Sequence, residues 1–146
     1  MNDKIFESVL ENFEIFFINK KLELSRIQKS NKNLTFEYNL ANFQIKLENY
    51  HKEIYLIISK NNDTENEINL FNLLEFLYQE NKNKPESNYY KNEENLEQCL
   101  KKQIFYLSEI LYNNLTLIKD FFKEVNYKTN IEKFNTFWKS SHSDLY

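Results

Sequence analysis

Apolar residues at Ile5, Phe6, Val9, Leu10, Phe13 and Phe17 recur three or four positions apart. That spacing gathers side chains on one stripe of a helix and predicts an amphipathic helix from Asp3 to about Asn19. From Leu22 the period falls to two. Leu22, Leu24 and Arg26 oppose Glu23, Ser25 and Ile27, and the polar run Lys29 to Asn33 reads as a hairpin loop. Leu34, Phe36 and Tyr38 then alternate with Thr35, Glu37 and Asn39. Past a tight turn at Leu40 to Asn42, Phe43, Ile45 and Leu47 alternate with Gln44, Lys46 and Glu48. Asn49, Tyr50 and His51 make the next turn, and Glu53 to Ser59 is uniformly apolar enough for the interior of a sheet. With the polar stretch Lys60 to Asn66 ending the sheet, the expectation is a four-stranded antiparallel meander.

The remainder reads as helical. Asn69 is placed to cap a helix running to about Gln79, with Ile68 and Leu73 forming a hydrophobic staple. Residues 80–92 hold the only proline, Pro85, among Asn, Lys, Glu and Ser, and predict a mobile surface loop. Leu96, Leu100, Ile104, Leu107, Leu111, Leu115, Ile118, Phe122 and Val125 follow in unbroken helical steps. They predict one long helix, or two in line bent at Asn113-Asn114, because asparagine is a poor helix-interior residue. Asn130 is expected to cap a short last helix with Ile131, Phe134 and Trp138 inward, and Lys139 to Tyr146 a loose tail. The fold class is therefore α+β, as a single domain over residues 1–146 without internal repeats.

Composition narrows the chemistry. The 13 Phe, 10 Tyr and 1 Trp supply ample bulk for one core in 146 residues. Glycine is absent, which excludes a P-loop, a dinucleotide-binding G-x-G-x-x-G turn and a G-x-S-x-G nucleophile elbow. Other residues must then take left-handed turns, and the pairs Asn61-Asn62 and Asn113-Asn114 are the natural candidates. The net charge of -3 comes from interspersed Lys and Glu and weighs against a general nucleic-acid binder. A single cysteine, Cys99, forms no intramolecular disulfide and suits a reducing compartment. Glu7, Glu11 and Glu14 interrupt any secretory leader, and the longest apolar run, Ile54 to Ile58, is far shorter than the ~20 residues that span a bilayer. A cytoplasmic location without membrane contact is expected. The abundance of Asn, Lys, Ile, Phe and Tyr tracks A/T-rich codons and suggests a low-GC bacterium or its mobile elements.

Candidate chemistry is sparse, and no catalytic residue, cofactor or metal site is expected. His51, His142 and Cys99 are not at ligand spacing. Asp63, Glu65 and Glu67 read as a solvated loop in preference to a Mg²⁺ cage. Cys99 reads as a small buried hydrophobe, and His51 as a turn residue for which no nucleophile is nominated. Ser140, Ser141, His142, Ser143 and Asp144 hold the residue types of a hydrolytic triad, but adjacent tail residues do not form its geometry. Lys82, Lys84 and Lys91 flank Tyr89-Tyr90, a weak nucleic-acid patch diluted by Glu80, Glu86, Glu93 and Glu94. The same segment fits protein binding better: Tyr89 and Tyr90 would be an aromatic anchor, with Glu93, Glu94 and Glu97 as an acidic rim suited to a basic partner. The alternative is that both tyrosines pin the loop to the domain.

An N-terminal helix, a small antiparallel meander, a short helix and a long Leu-patterned helix together resemble small bacterial immunity proteins that neutralise toxins. The resemblance rests on element order and composition over most of the chain and transfers no functional residue. It implies a cytosolic protein that blocks a cognate toxin in a one-to-one complex. Two competitors stand beside it. One is a phage or mobile-element inhibitor of a host defence nuclease. The other is a homo-oligomeric structural or regulatory protein whose long helix pairs with its copy, to which Phe105, Tyr106, Tyr112 and Phe121 beside the main stripe would contribute.

Overall fold

The computed structural model describes residues 2–30, 35–79 and 83–142. Helix α1 (Asn2–Asn19) leads into β1 (Leu24–Ser30), β2 (Thr35–Leu40), β3 (Phe43–Tyr50), β4 (Glu53–Lys60) and β5 (Asp63–Asn69). Helices α2 (Leu70–Tyr78), α3 (Leu96–Asn113), α4 (Leu115–Phe121) and α5 (Glu124–Ser141) follow. The strands form one sheet in chain order, each antiparallel to the next. The architecture is α+β.

Period-two alternation decides which way the sheet faces. Phe36, Tyr38, Leu40, Phe43, Ile45, Leu47, Ile54, Leu56 and Ile58 are buried on one face, and their neighbours are left half-exposed on the other. The stripe of α1 lies on this inner face, with Phe6 edge-on to Phe36 at 5.7 Å and Phe13 against Tyr38 at 5.6 Å. Each buried side chain of this size contributes about 1.5–3 kcal/mol. Helix α3 packs beside α1 and buries Leu100, Ile104, Leu107 and Leu111. The expected cap and staple of α2 are in place: Asn69 Oδ1 accepts from Phe71 N at 2.9 Å, and Ile68 and Leu73 are both buried.

The sheet has one strand more than the alternation predicts. Residues 60–66 do not end it; Asn62, at φ 67, closes a tight turn into β5. This edge strand places Ile68 in the core and otherwise carries mostly polar residues, so it lacks an apolar rhythm to read. Strand β1 starts at Leu24 rather than Leu22, and a bulge between Arg26 and Gln28 leaves Ile27 exposed. The hairpin loop does not begin at Lys29, since Lys29 and Ser30 pair with Phe36 and Thr35 as the end of β1; the rest of that loop up to Asn33, and the inward position of Leu34, lie outside the described residues.

The long helical pattern bends at Asn113-Asn114 as expected, but not through a left-handed residue: Asn114 sits at φ -111, ψ 14. Its buried side chain donates to Ile110 O at 2.8 Å and accepts the Tyr78 hydroxyl. A second break at Phe122-Lys123 ends the stripe early, so Val125 is 88 % exposed instead of inward. The last helix is not short and Asn130 does not cap it. Helix α5 begins at Glu124, and Asn130 Nδ2 donates to Phe121 O at 3.0 Å, satisfying a carbonyl left open at the end of α4. The helix runs on to Ser141 through much of the expected loose tail, and residues 143–146 lie outside the described residues. No helix among the described residues is long and apolar enough to cross a membrane.

Candidate functional site

The β3–β4 hairpin turns in two residues, His51 and Lys52, between the cross-strand partners Tyr50 and Glu53. His51 takes φ 55, and its ring meets that of Tyr50 edge-on at 4.2 Å. Tyr50 is 64 % exposed at this tip. On the outer face of the sheet the Tyr55 hydroxyl donates to the Glu53 carboxylate, which pushes the phenol up to about 12 because ionising it would place two negative charges together. Tyr89, from the segment before α3, stands edge-on to the Tyr55 ring at 5.8 Å, and burial raises its phenol. Tyr50, His51, Tyr55 and Tyr89 thus form the aromatic wall of an open groove of about 370 Å³, with Lys52, Glu53 and Lys91 completing its lining.

Helix α3 holds this groove from beneath. Gln103 is buried on its inward face, where Nε2 donates to Lys52 O at 2.6 Å and Oε1 accepts from Ile54 N at 2.8 Å. One side chain thereby satisfies a donor and an acceptor that the hairpin leaves unpaired. The Cys99 thiol, one helical turn earlier, lies 3.3 Å from Tyr89 O. Tyr106 donates its hydroxyl to Glu86 O, and its ring lies 6.4 Å from that of Tyr90. The described part of the 80–92 segment, from Asn83, is therefore tied to α3 and the hairpin at several points.

The five residues expected to bind a partner are engaged differently within the fold. Tyr89 faces the groove, whereas Tyr90, at φ 50, turns toward Tyr106. Glu93 pairs with Lys102 at 2.8 Å, which holds its carboxyl below the ordinary range, and also accepts from Asn95 N at 3.3 Å. Glu97 pairs with Lys101 at 3.3 Å, while Glu94 is exposed. The acidic rim is thus largely neutralised by lysines of α3. Sequence reasoning passed over Tyr50, Tyr55 and Gln103. The outward parity of Tyr55 and the inward helical position of Gln103 were signals available for two of them.

The other candidates have structural partners. Asp63 Oδ2 accepts the Tyr127 hydroxyl at 2.7 Å, and Oδ1 accepts from Glu65 N at 3.1 Å, so this carboxylate secures α5 to the β4–β5 turn. Among the described residues no group of three or more His, Cys, Asp or Glu is placed to hold a metal. The His142 ring lies 3.7 Å from that of Trp138, with Glu75 at 3.9 Å; its tail neighbours Ser143 and Asp144 lie outside the described residues, as does Lys82. Of the aromatics flanking the long stripe, Phe121 is buried and Tyr106 stacks on Phe71. Phe105 stays 59 % exposed and, with Ile15 at 50 %, borders a second groove of about 340 Å³ between α1 and α3. Comparison with protein families, with curated proteins and with solved structures finds no match to this chain.

Proposed function

We propose that this chain is a non-enzymatic protein-binding inhibitor, an immunity protein that neutralises a cognate bacterial toxin through a stoichiometric complex. The observation that carries the reading is the aromatic groove at the β3–β4 tip, where Tyr50 is 64 % exposed beside His51, Tyr55 and Tyr89. Tyrosine offers large amphipathic contact area at low entropic cost and is enriched among residues that dominate binding. The groove is supported by Gln103 and by the segment before α3, so little ordering entropy opposes association. The test is a pull-down from the native host with the chain as bait, followed by mass spectrometry and sizing of the complex. An equimolar toxin supports the immunity reading; a host defence nuclease would instead make this a phage or mobile-element inhibitor.

A second reading rests on a different face. Ile15, Phe105 and Tyr112 leave apolar area exposed along α1 and α3, as a self-pairing regulatory or structural protein would. Recovery of the bait alone, as a dimer that Phe105→Glu dissociates, would favour it over the inhibitor.

A further inference from the structure

We propose that the groove at the β3–β4 tip takes an acidic segment of the partner bearing an aromatic or large apolar anchor. This rests on the protein-binding reading above and specifies the chemistry of what binds. The wall of Tyr50, His51, Tyr55 and Tyr89 provides ring faces and edges against which a further ring packs. The charge around it decides what flanks that anchor. Glu53, the one carboxylate in the lining, already accepts the Tyr55 hydroxyl. Several nearby acids are paired within the fold, Glu48 with Lys46 at 3.2 Å, Glu93 with Lys102 at 2.8 Å and Glu97 with Lys101 at 3.3 Å, while Glu94 stays exposed beyond Lys91 and outside the lining. Lys52 and Lys91, by contrast, are exposed on the groove and make no ion pair among the described residues. Glu53 keeps its charge, but two lysines against that one carboxylate leave the lining net positive, although the chain as a whole carries -3. A carboxylate set beside each ammonium complements it. Lysine acts here as a point charge and demands no bidentate geometry, so the groove selects an acidic, aromatic class of segment over one fixed sequence.

A single-stranded nucleic acid also combines stacking bases with negative charge, but it needs a basic track that follows its backbone. Glu53 in the lining and exposed Glu94 beyond Lys91 interrupt such a track. A compact acidic segment needs only to set its carboxylates beside Lys52 and Lys91 and its ring between them and Glu53.

The test pans a displayed library of short random peptides on the intact chain and on the double variant Lys52→Glu/Lys91→Glu. Both lysines are exposed, so the double variant is expected to stay folded, and its circular dichroism and unfolding midpoint are measured to check this. The wild type is expected to enrich peptides with Asp or Glu flanking Trp, Tyr or Phe. The best such peptide, made synthetically, should bind the double variant about tenfold or more weakly, with a comparable loss in Tyr89→Ala and weakening as salt rises. Enrichment of basic or purely apolar peptides, equal retention by the double variant, or oligothymidylate bound in place of any peptide would overturn the proposal. A cognate host protein that binds wild type and double variant equally well would also overturn it, while leaving the inhibitor reading intact. Failure to recover any host protein counts against the inhibitor reading itself.

Discussion

In a chain without glycine, Lys21, Ala41, His51, Asn62, Gln79 and Tyr90 hold positive φ. Asn62 and His51 are of types enriched in that region; the others are placed there by what surrounds them. Lys21 closes α1 in a Schellman arrangement, with Leu22 N donating to Phe17 O at 3.0 Å and Lys21 N to Ile18 O at 2.9 Å. Ala41 is forced left-handed because Leu40 and Phe43 pair directly across a two-residue turn. A Cβ in that region costs about 1–2 kcal/mol, partly offset by the greater unfolded-state freedom of glycine. Ala41 is exposed, so Ala41→Gly is expected to stabilise the protein by roughly 0.5–1 kcal/mol in urea unfolding. Gln103 argues in the other direction. Its position among Leu100, Ile104 and Leu107 is inward, and a polar residue there announces buried partners without naming them. Gln103→Leu keeps the volume but orphans Lys52 O and Ile54 N, and is expected to cost about 2–4 kcal/mol.

At the scale of elements, legibility followed apolar rhythm. Helix α1, β2 to β4 and α3 each bury an alternating or stepped set long enough to be read, and all of them form. Strand β5 and helix α5 are joined instead by polar contacts, which leave no period in the chain. Tyr127 donates to Asp63 at 2.7 Å while its ring stacks on Phe122 at 5.9 Å, and Lys60, at the end of β4, pairs with Glu124 at 2.9 Å. The bond from Tyr127 is the main reason the Asp63 carboxyl is held below its ordinary range, while burial and Asp63 raise the Tyr127 phenol. A depressed carboxylate contributes stability above its unfolded value of about 4, and loses it as pH falls through the folded value. The raised phenol contributes below about 10 and loses its share as pH rises further. Tyr127→Phe should therefore be destabilising at pH 7, with the gap from wild type closing toward pH 3. Urea midpoints of both proteins across that range check this, and a gap that stays constant would assign the effect to packing alone.

The meander separates the two ends of the molecule. The β2–β3 and β4–β5 turns lie at one end, where Asn42 Nδ2 donates to Lys119 O at 3.0 Å, Phe43 stacks on Phe122 at 5.8 Å and α5 is bound through Asp63. The β3–β4 turn lies at the other end and carries the groove. One end is thus closed by helices and the other is left open to solvent, an arrangement that no local pattern encodes, because it depends on which hairpin turn the later helices come to cover. The separation has a consequence for stability and binding. Phe134 packs on Phe76 at 5.7 Å and Trp138 at 6.1 Å in the closed half, so Phe134→Ala should cost about 3–5 kcal/mol in unfolding. Under conditions where that variant stays folded, its affinity for an acidic aromatic peptide should match wild type, since distant sites combine additively. Tyr50→Ala should do the reverse, changing stability by less than about 0.5 kcal/mol and lowering affinity about tenfold or more. Paired unfolding and titration calorimetry on both variants would show it. Loss of affinity in Phe134→Ala while still folded would mean that the two ends are coupled through the sheet, and that the groove is shaped by α5 as well as by α3.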